Sequence, residues 1–332
     1  MQPKTTVVTV TYGNRLCYLE QLITRALAER SIHQVIVVSN AATVPLDGLE
    51  TRWPGQVKVI ALSENTGSAN GYAVALEAAL ASDTSHIWMM DDDNAPLGDA
   101  LEVLHRQLDQ LGRQHGLDKV AVLGYRPTQQ ADIAQCIPTK MITQPRSSYF
   151  GFHVARIPYK IWRRTPWGRP RGGAPEALVE LPFAPYGGML AHRSLYERIG
   201  LPLRELVLYS DDTEYTYRIT QGGGRLFMVT GAELEELEHS WNIKDNTSNV
   251  YQNYLRAGSD FRAYYAARNQ AWFDKNVWAS SRPMYRLNRY VFHTLLKLFA
   301  RDEQSRQRLA LIRQAVQDGE TGALGINRSY PL

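Results

Sequence analysis

Cysteine is nearly absent. Cys17 and Cys136 are the two in the chain, too few for a framework of disulfide bridges and without metal-ligand spacing, so the sequence points to a reducing compartment. Long apolar runs are missing too. No window approaches the roughly 20 residues that span a bilayer, and the opening MQPKTTVVTVTYGNR has neither the charged leader nor the apolar core of a signal peptide. The expectation is a cytoplasmic protein, with peripheral attachment to the inner face of the cell membrane left open. Charge of one sign is scarce as well. A formal net charge of +4 is mild for 332 residues, and the arginines are scattered rather than gathered, which gives nucleic-acid binding no footing. Arginine does suit phosphates and lipid head groups. There is no internal repeat, no low-complexity tract, no Gly-Lys-Ser/Thr phosphate loop and no GxGxxG turn.

What is present is an alternation. TTVVTVTY (5–12) is a β-branched run, and the segment that follows Gly13-Asn14 sets Leu16, Leu19, Leu22, Ile23, Ala26 and Leu27 at helical spacing. QVIVVSN, VKVIAL, HIWMM and VAVLGY read as further strands, separated by the helical segments SANGYAVALEAALAS and LGDALEVLHRQLDQLG. Such an order predicts an α/β fold, a mostly parallel sheet covered by helices on both faces. Ligands of these sheets gather beyond the carboxyl ends of the strands, where TYGNR, SNAA, SENTG and DDDN all fall. The pattern weakens between Pro127 and Pro182, where RRTPWGRPRGGAPEA (163–177) reads as a long mobile loop. After His239 the chain turns helical and aromatic.

Four polar segments carry candidate chemistry. In MMDDDN, strand alternation would send Asp91 and Asp93 to one side and Asp92 to the other, so that the outer two share a divalent cation that also binds a diphosphate. The alternative is a solvated acidic loop capping a helix that begins near Pro96. In YSDDTEY, the adjacent Asp211 and Asp212 can supply a proton acceptor and a neighbour to orient it, or simply cap a helix N-terminus. His239, just past a strand, could add an imidazole nitrogen to a Mn²⁺ or Mg²⁺ shell or be merely structural. ENTGSANGY leads into a helix, whose free N–H groups and dipole favour a phosphate, although a plain turn would look the same.

Taken in order, VVTVTYGNR, VIVVSN, ENTGSANGY, WMMDDDNAP, PYGGMLAHRSLYERIGLP, YSDDTEYTYRI and HSWN resemble family 2 glycosyltransferases of the GT-A fold, with later echoes in AARNQAWF and AVQDGETGALG. The likeness is greatest to bacterial galactofuranosyl- and rhamnosyltransferases. It implies that Thr11, Tyr12, Arg15 and Asn40 surround the nucleotide base and ribose, and that Asn65, Gly67, Asn70 and Gly71 lie along the donor diphosphate or sugar. Asp91 and Asp93 match the Asp-any-Asp metal motif, with Asp92 beside them at the donor. His239 matches the distal metal ligand. Asp212 takes the place of the catalytic base, with Asp211 as the other choice. Asn40 departs from the common aspartate, and the Gln-X-X-Arg-Trp motif of processive synthases is missing, so a single-addition or short-chain transferase fits better.

The resemblance therefore implies an inverting hexosyltransferase that uses Mn²⁺ or Mg²⁺ and takes UDP-galactofuranose or dTDP-rhamnose as donor. A glycan or lipid-linked glycan of the cell envelope would be the acceptor. The expected catalytic domain is 1–245, including an acceptor-side loop within 127–182. Residues 246–332 would form a helical region that contacts a membrane surface or another copy. There, Leu287, Val291, Leu295 and Leu298 make a helical stripe near Arg282, Arg286, Arg289, Lys297 and Arg301; such stripes usually dock on the protein's own core. Two other functions compete: a non-catalytic nucleotide-sugar-binding scaffold, which should have lost these carboxylates, and a sugar nucleotidyltransferase, whose Gly-rich basic loop is not matched by TVTYGNRLCYL.

Overall fold

The computed structural model describes residues 3–137, 144–168, 173–238 and 249–332. The chain divides into two compact units that interleave in sequence. The first comprises Met1–Ile142, Ala174–Arg204 and Asp211–Trp241; the second comprises Thr143–Gly173, Glu205–Ser210 and Asn242–Leu332.

The first unit is built on a sheet of β1 (Thr5–Gly13), β2 (Ile32–Ala42), β3 (Val57–Leu62), β4 (His86–Met89), β5 (Asn94–Pro96), β6 (Val120–Tyr125), β7 (Leu178–Leu181), β8 (Met189–His192) and β9 (Arg225–Glu236). The order is β3-β2-β1-β4-β8-β6-β9-β5, with β7 also paired to β9. β1 to β4 run parallel, as do β6 and β9, while β8 enters antiparallel between β4 and β6. The alternating apolar segments thus form the α/β sheet that their pattern predicts. Val8, Val10, Ile36 and Val38 pack on one face with Tyr72 and Leu76, while Val7, Val35, Val37 and Trp88 pack on the other with Leu19, Leu22 and Leu101. Side chains of a strand point to opposite faces in turn, so a run such as VIVV fills both cores at once. The helix expected near Pro96 starts instead at Ala100, because Asn94–Pro96 pairs with the end of β9 as a short strand.

The second unit is helical and aromatic. The helices Asp260–Phe273, Arg282–Phe299 and Glu303–Thr321 bury Tyr264, Tyr265, Phe292, Leu296, Ile312 and Val316 around Tyr149 and Phe150. Arg268 lies fully buried among them, its guanidinium 4.8 Å from the Tyr265 ring centroid and donating to the carbonyl oxygens of Leu206 and Gly325. Of the stripe expected to dock on the core, Val291 and Leu295 pack against it, and the buried face of the Arg282–Phe299 helix lies partly around from the rest. Tyr285, Asn288, Phe292 and Leu296 are its buried residues, whereas Leu287 and Leu298 are exposed. No helix among the described residues is long and apolar enough to cross a membrane.

Candidate active site

The carboxyl ends of β1, β2, β3, β4 and β6 each release a polar turn. After β1, Arg15 sends its guanidinium back toward the turn after β4. Nε donates to Asp92 at 2.9 Å, one terminal nitrogen to Asp93 at 2.6 Å and the other to Glu238 at 2.7 Å. Burial works against the charge on Arg15, but the three carboxylates outweigh it and hold the group above its usual range. Tyr12 and Tyr18 lie over the guanidinium carbon at 5.3 and 5.6 Å from their ring centroids.

The strict alternation expected of Asp91, Asp92 and Asp93 does not occur, because β4 ends at Met89 and the three residues sit in a turn. Arg15 therefore reaches both Asp92 and Asp93. Asp92 is 4% exposed, and burial pushes its carboxyl up to about 7 against the pull of Arg15. Asp93 is pushed up to about 6, by burial and then by the charge on Asp91.

Asp91 faces other partners. It accepts from the Tyr72 hydroxyl at 3.0 Å, from the Asn94 amide at 3.1 Å and from Arg126 at 3.4 Å. Burial, and then Asp91, push the Tyr72 hydroxyl far above the ordinary phenol range. Gly187 allows this arrangement: a Cβ there would lie 2.1 Å from Asp91 Oδ2, so a larger residue would push the carboxylate out of this place. Arg126, at the end of β6, and Gly187 are site residues the sequence reading did not name. A cation directly after an apolar strand, at the same sheet edge as the acidic turn, is the signal that could have found Arg126.

The β2 and β3 turns are closed by one network. Asn40 is buried; its carbonyl oxygen accepts from the Thr66 N–H at 2.8 Å, and its amide donates to Asn65 Oδ1 at 2.9 Å and Gly67 O at 3.2 Å. Gly67, at φ +82°, takes the left-handed turn that starts the helix Gly67–Leu80. Asn70 bridges Thr66 and Arg204. Gly71 packs against β1, where a Cβ would meet Val10 at 2.6 Å. Of the residues predicted to surround the donor, Tyr12 is well exposed, whereas Thr11, Asn40 and Gly71 are buried and held within the chain's own packing.

Asp211 and Asp212 open the helix Asp211–Gln221. Asp211 is buried and accepts from the Ser68 hydroxyl at 2.8 Å. Asp212 stays partly exposed; its Oδ1 accepts from the Thr213 N–H at 2.6 Å, and its Oδ2 has no partner among the described residues. Both carboxyls are raised above the usual carboxylate range by burial, Asp211 next by the charge on Asp212. Asp91 also raises Asp212, and Arg126 opposes it, so the charges of the first acidic set are felt at the second. Tyr186 and Tyr72, with ring centroids 4.4 Å apart, fill the space between them.

The oxygens at this edge are hard donors of the kind a divalent cation takes. Asn94 Oδ1, buried next to Asp91, has no hydrogen-bond partner among the described residues, and neither does Arg126 Nε. These orphaned atoms fit a site completed by a cation and an anion. No cluster of three or more acidic, histidine or cysteine side chains that could hold a metal is found among the described residues, and the predicted ligand His239 lies outside them.

Comparison with known structures gives likeness at low identity. GalNAc-T7 with UDP, GalNAc and Mn²⁺ superposes with a TM-score of 0.52 at 13% identity, over 89% of this chain and 55% of that one. The chain thus spans about half the length of that neighbour. The mannosyltransferase PcManGT from Pyrobaculum calidifontis, in complex with GDP-Man and Mn²⁺, gives 0.49 at 16% identity over 96% and 87% of the two chains. S. aureus TarS 1-349 in complex with UDP gives 0.48 at 13% identity over 96% and 92%. No curated protein matches the sequence. The likeness to GalNAc-T7 joins the sheet order in describing a GT-A-like α/β fold, and residues 6–149, which carry β1 to β6 and the acidic turn, match the model of Glycosyl transferase family 2.

Proposed function

We propose that this chain is an inverting, metal-dependent glycosyltransferase. It would move a hexosyl unit, galactofuranose or rhamnose by the sequence resemblance, from a UDP or dTDP donor to a glycan or lipid-linked glycan in cell-envelope polysaccharide synthesis. The observation that carries the reading is the nearness of the two acidic sets: Asp91 accepts from Tyr72 and Arg126, and the Tyr72 ring lies 4.4 Å from that of Tyr186, which stands beside Asp211. The family 2 match over residues 6–149 supports the reaction class.

Asp91 and Asp93, with Asn94 Oδ1 beside them, would hold Mn²⁺ or Mg²⁺; His239 remains a proposed ligand on the resemblance alone. When bound, the ion supplies positive charge against the nucleoside diphosphate as it departs. Arg126 adds a fixed cation on the same side. Arg15 locks Asp92 and Asp93 in place, which favours a preformed site over one assembled on binding. Asp212, with a free oxygen and partial exposure, accepts the acceptor hydroxyl proton; Asp211 is tied to Ser68 and serves as its charged neighbour. That difference in partners favours Asp212 over Asp211 as the base.

The test is to incubate the purified protein and Mn²⁺ with a panel of UDP- and dTDP-sugars, following donor hydrolysis and the anomeric configuration of any product. Manganese-dependent turnover of one donor, with inversion in the product, is the expected result. Calorimetry that finds no manganese-dependent uptake of any of these compounds would sink the proposal.

A further inference from the structure

The helical unit contains a cavity of about 520 Å³ that the reaction above does not use, between the helices Arg282–Phe299 and Glu303–Thr321. Its size is that of a small-molecule site. The lining is one-sided in charge: Lys275, Arg289 and Arg313 meet a single carboxylate, Glu320. That carboxylate is already engaged. It accepts from Arg289 Nε at 2.5 Å and from the Tyr285 hydroxyl at 2.9 Å, and its backbone oxygen accepts from Lys275. Arg313, on the exposed side of its helix, has no hydrogen bond or ion pair among the described residues. His293, on the same wall, holds the Tyr149 hydroxyl at 2.9 Å through Nε2, while its buried Nδ1 has no partner among the described residues. Charge this unbalanced in a concave, partly apolar setting selects an anion.

We propose that this cavity binds a phosphoryl group. Arg289, oriented by Glu320, and the uncommitted Arg313 would supply fork-shaped donors, and Lys275 a point charge. The lining adds a second feature: Tyr290 stands in it at 71% exposure, and farther along the same helix and its end Leu287, Leu298, Arg286, Lys297 and Arg301 are exposed. An anionic phospholipid head group and a free phosphate share the chemistry that the cavity reads, and the exposed Tyr290 of its lining, with Leu287 exposed one turn away, suits the first of them. The inference does not depend on the identity of the glycosyl donor.

The full-length protein is tested in two arms, with Arg313→Glu as the variant and Lys58→Glu, a surface change of the same sign in the other unit, as the control. One arm measures binding of inorganic phosphate by calorimetry; the other measures co-sedimentation with phosphatidylcholine vesicles with and without phosphatidylglycerol. Melting curves establish that both variants fold. The expected result is binding that weakens about tenfold or more in Arg313→Glu and stays unchanged in Lys58→Glu. Capture by phosphatidylglycerol vesicles identifies the ligand as a lipid head group, and phosphate binding without vesicle capture identifies a soluble phosphoryl compound. Binding in neither arm, or binding that the folded Arg313→Glu protein retains in full, overturns the proposal.

Discussion

Ser68, at the start of the helix Gly67–Leu80, donates its hydroxyl hydrogen to the buried carboxylate of Asp211 at 2.8 Å. This bond, its own backbone N–H at the start of the helix and the nearby Tyr186 are what offset the removal of the Asp211 charge from water. They are not enough: burial and the adjacent Asp212 leave the pKa raised. A carboxyl raised in the folded state stabilises the fold fully below its unfolded pKa, and that contribution is lost as pH rises through the folded pKa. A tenfold difference in proton affinity between the folded and unfolded chain corresponds to ~1.4 kcal/mol. Asp211→Asn should therefore raise the melting temperature at pH 7.5, and the gain should vanish below pH 3.8, the ordinary aspartate value. Thermal melts at both pH values check it.

The raised Asp212 carboxyl predicts a pH–rate profile. As the proposed base, Asp212 accepts a proton only when unprotonated, so activity should be lost as pH falls through the raised pKa, and the acid limb of kcat/KM should lie above the ordinary carboxylate value of 3.8. Asp212→Asn should remove that limb and lower kcat by about 10²–10⁴, with nucleotide affinity little changed. A limb that persists unchanged in the variant would assign it to another group.

Gly187 predicts a steric effect at the acidic turn. An alanine methyl would lie 2.1 Å from Asp91 Oδ2, so the carboxylate would have to leave the place where Tyr72, Asn94 and Arg126 hold it. Gly187→Ala should lose most activity through a displaced Asp91 and cost about 1–3 kcal/mol of stability. Manganese-dependent nucleotide binding, followed by calorimetry alongside a melt, separates the two effects.

Much of this was legible in the sequence because the first unit obeys local rules. VVTV, VIVV and VAVL are doubly buried strands, and their apolar runs state as much; the polar turns at their ends name one edge of a sheet. What the pattern could not carry is how side chains are shared across that edge. Arg15 was readable as a turn residue near a ligand, but its capture of Asp92, Asp93 and Glu238 depends on the chain bending just after Met89. Asn40 reads as a ligand contact from its place after a strand, and the pattern gives no hint that it also ties two turns together. Antiparallel β8 is too short at Met189–His192 to show any period, and Gly187 reveals its purpose only when Asp91 stands next to it. The helical stripe of Arg282–Phe299 is met at Val291 and Leu295 but not at Leu287 and Leu298, because Tyr285 and Asn288, polar in the sequence, take core positions.

The loop that leads into Asp211 predicts a positioning effect. Val207, Tyr209 and Ser210 all have positive φ, at 66°, 67° and 58°, a conformation that costs non-glycine residues about 1–3 kcal/mol each. Fully buried Asn269 holds it, donating its amide to the carbonyl oxygens of Leu206 at 2.5 Å, Leu208 at 2.7 Å and Tyr209 at 2.9 Å. Asn269→Ala should release the strain into the segment immediately before the acidic pair. The expected outcome is a fall in kcat larger than any change in nucleotide Kd; equal losses in both would mean general unfolding instead.

Acid stability depends on three rings in the first unit. His86 and His105 meet edge to face at 4.8 Å, and His192 closes on His86 at 5.1 Å. Burial pushes His86 down to about 3 and His105 down to about 4, both from 6.5. The unfolded chain takes up protons that the folded one refuses, so stability is present above pH 6.5 and is lost as pH falls toward the folded values. His105 alone contributes of the order of 3 kcal/mol to this loss by pH 4. In His105→Gln, where the amide can keep the 2.8 Å bond to Thr5 Oγ1, the denaturation midpoint should fall less steeply between pH 6.5 and 4 than in the parent protein. Urea titrations across that range measure the slope, and parallel curves for the two proteins would place the acid sensitivity elsewhere, with His293, also pushed down to about 4, the next group to replace.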